Sequence, residues 1–88
     1  MCRNIKVLFP LDPPTTDEEI RAAALQFVRK ISGTVKPSKG NEGAFERAVE
    51  EVAEAAGRML RALETRAPAR TREEEAERAR ARLAARPR

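Results

Sequence analysis

FERAVEEVAEAAGRMLRAL, residues 45–63, is the stretch on which the reading of this chain turns. Phe45, Val49, Val52, Ala56, Met59 and Leu63 recur in alternating steps of four and three, and Leu60 widens the stripe they make. Glu46, Glu50, Glu51, Glu54, Arg58 and Arg61 fall on the other faces. That spacing predicts one helix with a narrow apolar seam. Ser38 or Asn41 is placed to cap it after Pro37, and Pro68 stops it by residue 66, so the expected span of helix 2 is 39–66.

A seam of this kind needs a partner, and residues 16–32 supply one. Ile20, Ala24, Phe27, Val28 and Ile31 repeat at three and four. Thr15 or Thr16 with Glu18 or Glu19 offers a capping box, Asp17 adds favourable charge to the first turn, and Gly33 supplies a left-handed stop. The short connection between the two helices makes them antiparallel neighbours. The expected fold is therefore all-α: an antiparallel helical hairpin with an extended N-terminal arm and a weakly docked third helix.

The arm is residues 2–14, where Ile5, Val7 and Phe9 alternate and Pro10, Pro13 and Pro14 forbid a helix. Its apolar side chains are expected to lie across the helices. At the other end, residues 70–88 are rich in Arg, Glu and Ala, with Thr71 and Glu74 spaced as a capping box. Glu74 and Arg78 stand four apart, Glu77 and Arg80 three apart, and Leu83 is the segment's one large apolar residue. Without an apolar stripe this helix gains little from packing. The core domain is accordingly placed at 1–66.

Composition narrows the function. Eighty-eight residues allow one domain with a modest core. Val7-Leu8-Phe9 is followed at once by Pro10, so neither a membrane span nor a secretory signal is expected, and the chain reads as cytoplasmic. A single cysteine and no histidine leave no internal disulfide and no common zinc ligand set, so no metal or cofactor is expected. Residues 1–69 hold 11 basic and 10 acidic side chains, which puts three of the four net positive charges in residues 70–88.

The segments MCRNIK, TTDEEIRAAALQFVRKISG and KPSKGNEGAFERAVEEVA resemble a family of short bacterial proteins known as domain of unknown function 2277. The resemblance covers roughly residues 1–66 and extends loosely into the tail. It implies that the opening Met-Cys-Arg-Asn belongs to the family pattern, and it brings no activity with it. Gly40 and Gly43 stand where relatives favour Ala, which weakens the first turn of helix 2.

Three candidate sites follow. Cys2 would carry both a thiol and a free amino group after loss of Met1, with Arg3 and Lys6 favouring the thiolate; no base or oxyanion donor accompanies it, which points away from an enzyme. Arg29, Lys30, Lys36, Ser38, Lys39, Gly40 and Asn41 gather positive charge and helix-start donors into an anion-binding candidate for phosphate or RNA. It is not a P-loop, because Lys39-Gly40 lacks the Gly-Lys-Ser/Thr ending. Met59, Leu60 and Leu63 lie beyond the reach of the shorter helix 1 and form an interface candidate, to be covered by the arm, the third helix or a second copy of the chain. The leading expectation is a small non-enzymatic helical interaction module with a protein partner. The alternatives are an RNA- or ribosome-associated accessory protein binding phosphate through the basic loop and the tail, whose Arg72, Arg78, Arg80, Arg82, Arg86 and Arg88 could follow a phosphate backbone, and a thiol-dependent redox or metal role of Cys2.

Overall fold

The computed structural model describes residues 5–85 and is all-helical: α1 is Asp17–Ser32, a 3-10 turn covers Lys39–Asn41, α2 is Glu42–Ala62 and α3 is Arg72–Ala85. The start of α1 follows from its sequence. Thr16 is the residue before the helix, in extended backbone; its hydroxyl accepts from the Glu19 N–H at 3.2 Å, and the Glu19 carboxylate accepts from the Thr16 N–H at 2.9 Å. Gly33 ends the helix at φ +72°, with its N–H on the Arg29 carbonyl. A side chain at that φ would be strained even though the space around it is open.

The second helix departs from its expected span at both ends. Residues 39–41 form a 3-10 turn, and neither Ser38 nor Asn41 caps the backbone; the Asn41 amide donates to the Ser38 hydroxyl at 3.1 Å instead. Gly40 and Gly43 make this first turn a poor helix former. At the other end α2 stops at Ala62, and Leu63 turns into extended backbone. Thr65 there takes the Ala67 N–H onto its hydroxyl, a local bond that competes with helix. Residues 63–66 therefore form a connection, not a last turn.

α1 and α2 pack antiparallel, with the Arg21 guanidinium on the Glu50 carboxylate near one end and Arg29 beside Glu42 and Phe45 at the other. Ala24 and Val28 of α1 bury against Val49 of α2, and Leu25, Phe45, Ala48, Val52 and Ala53 surround them. Each valine buried there contributes about 1.5 to 3 kcal/mol, and the three alanines let the helices approach closely. With Arg21 level with Glu50, α2 outruns α1 by about two turns. Part of that overhang is covered by α2 itself, since the Arg61 side chain folds back over buried Gly57.

The arm uses different side chains from those its alternation predicts. Leu11 is its buried residue, whereas Val7 is exposed and Ile5 and Phe9 are half-buried. Thr15 donates its hydroxyl to the Leu8 carbonyl. The arm's backbone pairs with the segment before α3: the Asp12 N–H donates to the Arg70 carbonyl at 2.9 Å and the Arg70 N–H to the Pro10 carbonyl at 3.2 Å. The α3 backbone does not pack against α1 or α2 among the described residues, and its contact with α1 is made by a side chain, Arg72 on Glu19. The result is a plate of 44 × 36 × 16 Å, one layer of helices thick.

Candidate interaction surface

A pair of helices buries only the strip where they meet, so each face of the hairpin leaves apolar side chains half-covered. On one face a groove runs between α1 and α2 with Leu25, Phe45 and Val49 as its floor and Val35 and Pro37 at its loop end. Its α1 rim is basic, with Arg21, Arg29 and Lys36 of the adjoining loop; its α2 rim carries Glu42 and Glu46. A second groove opens under the loop, lined by Val28, Ile31, Ala44, Phe45 and Ala48 together with Thr34, Ser38 and Asn41. Phe45 lies in both. Ile31 and Val35 stand well out of the surface at 68% and 72% exposure, one at each groove.

The loop that separates the grooves is held by its own polar groups. Arg29 donates Nε to the Val35 carbonyl at 3.1 Å, Thr34 donates its hydroxyl to the Lys36 carbonyl at 3.0 Å, and Ser32 donates to the Arg29 carbonyl. These bonds show what has become of the basic residues expected to gather around an anion. Lys36 lines both grooves and Arg29 one, while Lys30, Lys39 and Gly40 are exposed and line neither. Ser38 and Asn41 are occupied with one another, and the N–H groups of Asn41 and Glu42 donate to the Ser38 and Lys39 carbonyls within the 3-10 turn. The donors that the helix start was expected to offer are thus partly spent.

Met59 and Leu63 of the interface candidate are exposed, at 53% and 44%, and Leu60 is half-buried. Cys2 and Arg3 lie outside the described residues. Among the described residues no cluster of three or more His, Cys, Asp or Glu is arranged to hold a metal ion, and no helix is long and apolar enough to cross a membrane.

The strongest polar cluster joins residues that the sequence left apart. Arg72, at the start of α3, reaches Glu19 with Nε at 2.6 Å and Nη2 at 2.7 Å and also donates to the carbonyls of Pro13 and Pro14. The Arg72 guanidinium, with the Thr16 N–H, holds the Glu19 carboxyl down at about 2, and Glu19 in turn raises Arg72. One turn on, Glu75 is buried between Arg70 at 2.9 Å and Arg82 at 3.4 Å. Helical periodicity gives no sign of the Arg72–Glu19 pair, whose members lie 53 residues apart, whereas Arg70 and Arg82 are local partners of Glu75. Only the Thr71–Glu74 capping box, present as expected, marked where they would be.

This cluster fastens α3 to α1 and to the arm, and both of its carboxylates, Glu19 and Glu75, are paired with guanidiniums. Among the described residues, the open apolar surfaces include the two grooves and the end of α2. No curated protein and no solved structure matches the chain. A family model does match, over residues 1–78, and the chain belongs to that family, the uncharacterised conserved proteins of DUF2277.

Proposed function

We propose that this chain is a small non-enzymatic protein-interaction module that works through the open faces of its hairpin. One observation carries the reading. The molecule is a single layer of helices, and that layer leaves Phe27, Ile31, Val35, Met59 and Leu63 exposed beside a core of only a few buried side chains. Exposed apolar side chains mark interaction sites, and here Ile31 and Val35 stand at the loop end of the hairpin while Met59 and Leu63 stand at the far end of α2. A partner laid on either face supplies the second layer from which helical domains are ordinarily built.

The double variant Ile31→Asp/Val35→Asp tests this, because it places one charge at each groove without touching the buried seam. Helicity should be unchanged by circular dichroism. Proteins cross-linked to the wild type in an extract of the source cells, further copies of the chain included, should be lost with the variant. An identical cross-linking pattern for both would end the reading.

A second reading, binding of RNA through the basic loop, draws on Lys30, Lys36 and Lys39, which have no ion-pair partner among the described residues. Phosphate contacts of this kind weaken steeply with salt. Mixed RNA should therefore bind at low ionic strength and release as salt rises; no binding at low ionic strength would remove this alternative.

A further inference from the structure

We propose that the face carrying Arg21, Arg29, Glu42 and Glu46 takes a second copy of this chain, related by a two-fold axis parallel to the helices, so that two hairpins close into a four-helix bundle. The proposal rests on the interaction reading and names the partner for one of its faces.

The argument begins with register. Arg21, Leu25 and Arg29 follow one another at steps of four along α1, and Glu50, Glu46 and Glu42 do the same along α2 in the opposite direction. The Arg21–Glu50 ion pair, and the groove that Leu25, Arg29, Glu42 and Glu46 line together, bring the two rows side by side. One helix thus shows a basic row and the other an acidic row, with Leu25 and Phe45 half-buried between them. Within the chain only the Arg21–Glu50 pair closes. Glu42 and Glu46 have no ion-pair partner among the described residues, and Arg29 uses only Nε, on the Val35 carbonyl.

Symmetry then selects the arrangement. A two-fold parallel to the helices preserves level and exchanges sides, so each α1 crosses the partner's α2: the basic row meets the acidic row twice, Arg29 against Glu42 and Glu46, Arg21 against Glu50. A two-fold across the helices in the same plane would lay α1 on α1 and α2 on α2, like charge on like. Complementary potentials favour the first and oppose the second. The pairing also covers Leu25 and Phe45 and gives the 16 Å plate its missing layer, in the geometry of an up-and-down bundle.

Sedimentation equilibrium of the full chain from micromolar to millimolar concentration tests this. The wild type should dimerise, more weakly as salt rises. Glu42→Lys/Glu46→Lys, which removes no ion pair or side-chain hydrogen bond among the described residues, should raise the dimer Kd by about tenfold or more, and so should Arg21→Glu/Arg29→Glu. The two variants mixed should recover a dimer, since each acidic row then meets a basic one. Circular dichroism checks that both remain helical; should the arginine variant unfold, the glutamate variant alone decides. A wild type that stays monomeric, or a dimer indifferent to the glutamate substitutions, overturns the proposal. Either result leaves the wider interaction reading to the Ile31→Asp/Val35→Asp cross-linking, so the two can fail separately.

Discussion

The α1–α2 pair and α3 are held to the molecule by opposite means. Between α1 and α2 the contact is a strip of Ala24, Val28 and Val49 with Leu25, Phe45 and Val52 alongside, and the one charged pair across it, Arg21–Glu50, is exposed. At α3 the attachment is nearly all polar: a two-bond backbone pairing at Arg70, four guanidinium bonds from Arg72, and buried Glu75 between two arginines. Apolar burial is spread along a helix and is lost all together. A polar fastening is concentrated at one end and opens alone.

The comparison breaks most visibly at the seam. Val49→Asp puts an unpaired charge where the two helices meet, at a cost of about 3 to 5 kcal/mol, comparable with the whole stability of a small domain. Helical circular dichroism should be lost at room temperature. Thr16→Ala touches both regions, since Thr16 caps α1 and holds the Glu19 that holds Arg72; it should cost about 1 kcal/mol in urea unfolding without changing the fold. Arg72→Ala should do less to the whole and more to the part: amide exchange should quicken across the first turns of α3 while the amides around Val28 and Val49 keep their protection.

The smallest effect sharpens the contrast through pH. Glu19 takes up its proton near pH 4.5 in the unfolded chain and only near about 2 in the folded one, because Arg72 and the Thr16 N–H stabilise its charge. Between those values the unfolded chain binds more protons, so the stability Glu19 contributes is full above about pH 4.5 and drains as pH falls toward 2. Protection of the α3 amides, taken relative to their intrinsic exchange rates at each pH, should fall over that window, and Glu19→Gln should flatten the part of the response that belongs to this carboxylate. An unchanged acid profile in the glutamine variant would assign the response to other groups.

The same contrast explains what could be read in advance. α1 was legible to within a residue, because Thr16, Glu19 and Gly33 are local signals and Ile20, Ala24 and Val28 repeat with the helix. The hairpin followed from the seam of α2. What escaped the sequence were contacts between residues distant in the chain: Arg72 with Glu19, Arg70 with Pro10 and Asp12, and Leu11 as the buried side chain of the arm. Nothing periodic marks them. The ends of α2 escaped for a local reason, since Ser38 and Asn41 satisfied one another and Thr65 claimed a backbone donor. For the candidate surface, the exposure of Met59 and Leu63 was legible from helix lengths, whereas the opposed charged rows needed the register that the Arg21–Glu50 pair fixes.

The pairing of Leu11 with Arg70 also sets an order of events during folding. Bringing those two residues together closes a loop of roughly 60 residues, an entropic cost on the order of 4 kcal/mol, and two backbone hydrogen bonds return only a part of it. The turn from Gly33 to Asn41 closes a far shorter span and is repaid at once by the seam. The hairpin should therefore form first and act as the template that shortens the distance the arm and tail have left to search, with α3 arriving last.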